Sequence, residues 1–208
     1  LAAEQVVHTA RNSLEHFSSA TESPREMLEN SMLEAHTMIK ASRFINEKDP
    51  HSTVVMLLLQ PGKVSWAHCG DSRLYRFRGT DTLFRSVDHS YVEHLVSIGR
   101  ITPEEALVHP NRNVLITSLG GKDAPKFSFG EADDLTDGDI FMLCSDGLWP
   151  YFEEPEMARI MADNSARAAS EILIDLARTR AAGSGDNVSV VIIKFKDAKP
   201  ASTAVPPR

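Results

Sequence analysis

Between Ser52 and Val87 four strand-sized runs follow one another with little more than a turn between them. Ser52 to Gln60 is β-branched and leucine-rich and too short for a comparable helix, so it reads as a buried strand. Pro61-Gly62-Lys63 is a turn signal, Val64 to Cys69 a second strand, Leu74 to Arg78 a third and Leu83 to Val87 a fourth. Strands joined this closely pair as antiparallel hairpins, because a parallel crossover needs a dozen or more residues. Helical text is grouped around these strands. Residues 2 to 17 carry Val6, Val7, Ala10, Leu14 and Phe17 on an expected inward face. Ser23-Pro24-Arg25-Glu26 is a capping box with proline at the first helical position, and Leu28, Met32, Ala35 and Ile39 recur behind it to about residue 46.

Later, Ser90-x-x-Glu93 and Thr102-Pro103-Glu104-Glu105 start two short helices separated by Gly99-Arg100. The segment 88–118 is thus a helical pair inserted between strands, and inserted segments often carry function. Strand text returns at Val114 to Leu119, Lys126 to Glu131, Ile140 to Cys144 and Asn187 to Phe195. Helices are expected at Pro155 to Met161 and at Ala166 to Ala181, the latter with Ala169, Ile172, Leu173 and Leu176 inward. Antiparallel strands with helices in blocks define an α+β layered fold. No internal repeat or domain boundary is visible. Residues 196–208, rich in proline and alanine, read as a flexible tail.

The net charge of −7 opposes general nucleic-acid binding, which demands a basic surface. It is compatible with carboxylates gathered around cations. The longest apolar run, Val54 to Leu59, is strand-sized and far short of a membrane span, and no signal peptide is expected. The two cysteines, Cys69 and Cys144, form no Cys-x-x-Cys pair and read as buried thiols in neighbouring strands, a usage that fits the reducing cytoplasm.

Three aspartates stand where strands break into turns: Gly70-Asp71-Ser72-Arg73, Ser145-Asp146-Gly147 and Gly185-Asp186-Asn187. Singly, each is an ordinary turn pair. Together, carboxylates reaching past several strand ends can make an oxygen-only cage, which suits Mg²⁺ or Mn²⁺ rather than zinc. Paired ions of this kind acidify water and neutralise phosphate oxygens, allowing phosphate-ester hydrolysis without a covalent protein intermediate. The eight histidines lack ligand spacing. His68 reads either as a core or edge histidine or as a group supporting Asp71. His89 and His109 read as structural. Arg73 either steadies Asp71 or is a surface cation. Arg112 either touches phosphate or is solvated, and Trp149-Pro150 reads as a packing plug.

With these motifs in order, the chain resembles the protein phosphatase 2C family in its bacterial branch. Trp66-Ala-His-Cys-Gly-Asp-Ser-Arg-Leu-Tyr is similar to the family's strand ending in Gly-Asp-Ser-Arg. Asp88-His-Ser, Leu95-Val-Ser-Ile-Gly, Glu104-Glu-Ala, His109-Pro and Arg112-Asn resemble the flap beside its active site, and Leu119-Gly-Gly precedes the next strand as in the family. Leu143-Cys-Ser-Asp-Gly-Leu-Trp and Gly183-Ser-Gly-Asp-Asn-Val-Ser-Val resemble two further blocks, and Ala2-Ala-Glu-Gln-Val-Val resembles the helix after the family's Asp-Gly-x-Gly-Gly motif. The resemblance covers roughly residues 1 to 195, read as one catalytic domain.

The resemblance implies an αββα sandwich of two packed antiparallel sheets flanked by helices. It implies a Mn²⁺- or Mg²⁺-dependent serine/threonine phosphatase acting through a metal-activated water on phosphorylated proteins, the products of a serine/threonine kinase, in cytoplasmic signal transduction. It carries Asp146 and Asp186 over as ligands of the paired centre. Asp71 is carried over as a ligand, with Asp146, of a third, weaker ion. Asn187 is expected to fix the Asp186 loop, Gly147 to support Asp146, and Gly99, Arg100 and Arg112 to belong to the flap, with Gly99-Arg100 as its hinge. The family's phosphate-binding arginine, its acidic Asn-Glu-Asp segment and its Asp-Gly-x-Gly-Gly motif are not in this sequence. They are expected upstream of Leu1 in the natural protein, and the chain alone is expected to be a poor phosphatase. The alternative is an inactive module of this fold that binds phosphoproteins or regulators.

Overall fold

A computed structural model describes residues 2–43, 49–183 and 185–196. Two helices, α1 (Ala2–His16) and α2 (Pro24–Ser42), precede four strands: β1 (Val54–Gln60), β2 (Lys63–Cys69), β3 (Arg73–Arg78) and β4 (Asp81–Arg85). The short helices α3 (Tyr91–Ser97) and α4 (Pro103–Val108) follow, then β5 (Ser128–Ala132), β6 (Asp139–Cys144), a 3₁₀ turn at Trp149–Tyr151, α5 (Glu154–Asp163), α6 (Ala166–Arg180) and β7 (Val190–Lys194). The strands form two antiparallel sheets flanked by helices, ordered β1-β2-β5 and β4-β3-β6-β7. The α+β class is therefore as expected.

The described residues divide into two compact units. The first comprises those up to Met56 with Trp66–Arg73 and Ser86–Phe129; the second comprises Leu57–Ser65, Leu74–Arg85 and those from Gly130 on. In the first, α2 begins at the expected capping box. The Ser23 hydroxyl accepts from the Glu26 amide at 3.2 Å, and the Glu26 carboxylate accepts from the Ser23 amide at 2.9 Å. Leu28, Met32, Ala35 and Ile39 are buried as the stripe predicts. The helix ends at Ser42, and positions 44–46 of the expected helix lie outside the described residues. On α1 the inward face is shifted. Val6 and Thr9 are buried, whereas Val7 and Leu14 are exposed, because the packed face also takes polar Gln5, which donates to the Thr9 hydroxyl.

In the second unit, Tyr75, Phe77, Ile140, Met142, Leu148, Met157 and Leu173 form a continuous buried cluster, with Trp149 packed against it. Ile140 pairs with Lys194 and Cys144 with Val190 in the β6–β7 ladder. On α6, Ala169 and Leu173 face inward as expected, but Ala177 takes the next inward place and Ile172 is exposed. Arg76 and Arg78 both donate to Asp139, which is fully buried at the start of β6, and Arg76 also donates to Asp134 at 2.7 Å. Burial alone would raise the Asp139 pKa, but the two guanidinium groups reverse that and hold it below its usual value.

Several sequence expectations change. Val114 to Leu119 is not a strand: Leu115 bridges to Ser90 and Leu119 to Ser52, so its backbone bonds go to two separate segments and no continuous ladder forms. The fourth strand runs two residues earlier than expected, because the Val87 carbonyl accepts from His68 instead of joining the ladder. The last strand starts at Val190 rather than Asn187, since the Asn187 carbonyl and Ser189 amide are bound by the Ser145 side chain. Strands β2 and β3 belong to different sheets, so Gly70-Asp71-Ser72 passes from one sheet to the other and is no hairpin turn. For the same reason Cys69 and Cys144, both buried free thiols, do not stand in neighbouring strands. Among the described residues no helix is long and apolar enough to cross a membrane. The expected tail, beyond position 196, lies outside the described residues.

Candidate metal-binding site

The apolar run of β6 ends abruptly in Ser145-Asp146-Gly147, and that change of character sets the geometry. The Ser145 amide adds one rung past the ladder by donating to the Ser189 carbonyl at 3.0 Å. Its hydroxyl donates to the Asn187 carbonyl at 3.1 Å and accepts from the Ser189 amide at 3.0 Å. Leu148 N donates to the Ser145 carbonyl at 3.1 Å and closes the turn, with buried Leu148 anchoring it to the core. Gly147 is buried directly against the partner loop: a Cβ there would collide with the Asn187 carbonyl oxygen and lie 3.3 Å from that of Asp186.

Asp146 and Asp186 are thus borne on two turns that touch through backbone, and both are exposed. One Asp186 oxygen accepts from the Asn187 amide at 2.6 Å, which orients the carboxylate from its own loop. Asn187 acts on this loop through its main chain, as acceptor for Ser145 and donor to Asp186. Gly147 and Asp186, with Arg178 and Val188, line a cavity of about 160 Å³.

Asp71 belongs to the first unit and is half-buried at the end of β2. The preceding Gly70 has φ +106°, a conformation that side-chain-bearing residues rarely adopt, and a Cβ would also strike the Thr53 side chain. Ser72 bonds Thr53 hydroxyl to hydroxyl at 2.8 Å. Arg73 is no surface cation: its Nε and Nη2 donate to the two oxygens of Asp88, each at 2.8 Å, and both side chains are largely buried. Gly70 and His89 bond twice, the His89 amide donating to the Gly70 carbonyl at 2.9 Å and the Gly70 amide to His89 Nδ1 at 3.3 Å. Accepting at Nδ1 leaves the His89 proton on Nε2, which donates to Ser128 Oγ at 2.9 Å. Burial, and then the neighbouring His68 ring, push the His89 pKa down to about 4. His68 is a buried core histidine stacked on His89 at 4.7 Å, its Nε2 donating to the Val87 carbonyl.

In the 88–118 segment, Gly99 and Arg100 end a helix. With φ +68°, Gly99 occupies the left-handed position after α3; its amide donates to the Val96 carbonyl, and that of Arg100 to the Leu95 carbonyl at 2.9 Å. This is the Schellman arrangement, a helix stop with two bonds. Arg100 and Arg112 are both exposed.

Among the described residues no three histidine, cysteine or carboxylate side chains gather into a cage by themselves. The Asp146–Asp186 pair nevertheless has the donor chemistry of a hard divalent cation. Its side-chain donors are all oxygen, it is open to water, and Mg²⁺-like ions bind through one or two carboxylates while keeping several waters. The Arg73–Asp88 pair and the two hydrogen bonds between Gly70 and His89 were not anticipated from sequence. The only signal lay in the adjacency of Asp88 and His89 at the start of the inserted segment.

A family model described as "Protein phosphatase 2C" matches residues 1–179, a stretch that includes Asp71 and Asp146 and stops before Asp186. The protein phosphatase PhpP of Streptococcus pneumoniae serotype 2 is 33% identical over 147 residues, covering 70% of this chain and 58% of PhpP. The chain therefore spans little more than half the length of that relative. Among solved structures, the serine/threonine phosphatase PstP/Ppp of Mycobacterium tuberculosis superposes with a TM-score of 0.78 at 26% identity, over 94% of this chain and 83% of that one. The catalytic domain of PstP in complex with two manganese ions gives 0.73 at 25% identity, over 93% and 82%.

Proposed function

The chain belongs to the protein phosphatase 2C family, and we propose that it acts in a serine/threonine phosphatase that hydrolyses phosphoserine and phosphothreonine in proteins. The observation that carries this reading is the joining of the Asp146 and Asp186 turns, through the hydrogen bonds of Ser145 to Asn187 and Ser189 and the close packing of Gly147 on the Asn187 carbonyl, with both carboxylates exposed. Asp146 and Asp186 would hold Mn²⁺ or Mg²⁺, and Asp71 a weaker additional ion; the manganese ions of the PstP complex support the choice of metal. When bound, such ions acidify a coordinated water and neutralise phosphate oxygens. The chain's own part is to present oxygen donors from fixed turns and to keep them open to water. Its substrates would be the products of a serine/threonine kinase, in a cytoplasmic signalling circuit.

The test is hydrolysis of a small aryl phosphate and of a phosphothreonine peptide by the natural full-length protein, with Mn²⁺ titrated. Turnover should require the metal, and Asp146→Asn should abolish it while weakening Mn²⁺ binding measured by calorimetry. Undiminished turnover of Asp146→Asn at saturating Mn²⁺ would overturn the ligand assignment. Phosphopeptide binding with no hydrolysis at any Mn²⁺ concentration would favour the inactive module.

A further inference from the structure

The loop that carries Asp71 and the start of the 88–118 segment are joined by at least four hydrogen bonds. Arg73 grips Asp88 with two parallel bonds of 2.8 Å, a fork geometry that fixes direction as well as distance. One residue on, His89 is bonded to Gly70 through both its amide and its ring. The far nitrogen of that ring is held by Ser128, and the His68 ring lies against its face. The next residue, Ser90, caps α3 by accepting from the Glu93 amide at 3.2 Å. These bonds run in an unbroken series from the residues on either side of Asp71 to the first turn of α3. On the Asp71 side the loop has no slack: Gly70 is held in a left-handed conformation against Thr53, and Ser72 is bonded to the Thr53 hydroxyl.

We propose that Arg73, Asp88 and His89 form a positioning latch that makes the Asp71 loop and the start of the 88–118 segment one mechanical element, so that a divalent cation taken up at Asp71 also orders that segment. The inference rests on the reading of Asp71 as a cation ligand. It makes Arg73 and Asp88 positioning residues, which touch neither cation nor phosphate but set the carboxylate that does. The physical reason is that Asp88 and Arg73 are nearly buried, so neither can exchange its partner for water without leaving a charge desolvated. A displacement of the Asp71 loop is therefore transmitted to Asp88 instead of being absorbed by a side-chain rearrangement. Coupling of this kind is reciprocal: whatever steadies α3 also tightens the cation.

Amide hydrogen–deuterium exchange and Mn²⁺ calorimetry on the natural full-length protein test this. In the unaltered protein, Mn²⁺ should slow exchange across residues 89–98. Asp88→Asn and Arg73→Lys should remove that slowing and weaken the weaker class of Mn²⁺ sites by ~10-fold or more, the usual cost of losing a group that orients a ligand. Exchange in β6 and β7 should stay as it was. Arg73→Lys keeps the charge and loses only the fork, so it carries the test if Asp88→Asn does not fold. Asp71→Ala separates the two readings. If it leaves the Mn²⁺ titration untouched, Asp71 is no ligand and the latch falls with it. If it removes the weaker sites while Mn²⁺ leaves exchange across 89–98 unchanged, the latch alone is refuted. A rise in exchange throughout the molecule in Arg73→Lys would likewise reduce the pair to a structural one.

Discussion

The α-carbon of Gly147 approaches the carbonyl oxygen of Asn187 so closely that no Cβ fits between them. The requirement is one of space, since the neighbouring atom is backbone, which a rotamer change cannot move aside. This close approach, together with the hydrogen bonds of Ser145 to Asn187 and Ser189, sets the Asp-Gly turn after β6 against the Asp-Asn turn before β7.

Gly147→Ala should therefore push the two turns apart. Overpacking of this kind costs about 1–3 kcal/mol, so the thermal midpoint should fall by a few degrees without loss of the fold. Mn²⁺ affinity should fall with it, because Asp146 and Asp186 would no longer be held at one spacing. A variant with unaltered Mn²⁺ binding by calorimetry would show that the two turns do not share a cation.

Asp139 makes the sharpest stability prediction. It is fully buried and accepts from both Arg76 and Arg78, with Arg76 itself almost buried. Asp139→Asn removes the negative charge and leaves the Arg76 cation desolvated beside a neutral amide. Breaking a buried pair in this way costs about 3–5 kcal/mol. Chemical denaturation should give a lower midpoint with an unchanged slope. A loss below about 1 kcal/mol, the usual worth of an exposed pair, would mean that Asp134 alone is sufficient for Arg76.

A pH dependence follows from His89. Its folded pKa is depressed to about 4, against about 6.5 for a free histidine. Between those values the unfolded chain binds a proton that the folded chain refuses, so folding is progressively penalised as pH falls. The contribution is fully present above about pH 6.5 and is lost by about pH 4. His89→Asn, which has no proton to take up in this range, should lower stability at neutral pH yet show a shallower decline through that window. Parallel curves of thermal midpoint against pH would eliminate His89 as the source.

Local features were the most legible in sequence. Capping boxes at Ser23 and Thr102 announce helix starts because both partners lie within one turn, and both are formed. The stripe of Leu28, Met32, Ala35 and Ile39 is buried because spacing alone determines one helix face. The strand-end aspartates were legible as turns, and the Asp146 and Asp186 turns do come together. Pairing at a distance was not legible. Arg73 and Asp88 are 15 residues apart, and a sequence displays charges without showing which of them meet. Val114 to Leu119 has strand composition, yet its backbone finds partners in two different segments. Gly99 suggested a hinge because glycine permits motion. In the structure Gly99, at φ +68°, closes α3, a role that leaves the hinge reading untested.

The order β4-β3-β6-β7 also determines how the chain reaches its fold. Strands β3 and β4 are joined by a tight turn and can pair as soon as they exist. Joining β3 to β6 is a different event. Arg76 and Asp139 lie 63 residues apart in the chain, and the excursion between them contains α3, α4 and β5. Closing so long a loop spends chain entropy before any contact repays it, which makes non-local pairing slow. The β3–β6 seam should therefore close late in refolding, with the buried bonds to Asp139 forming as it does. Pulse labelling during refolding should find the β3–β4 amides protected before those that join β3 to β6. Before that seam closes, the facing edges of β3 and β6 lack their strand partner, and an unpaired edge is a template for strands of other chains.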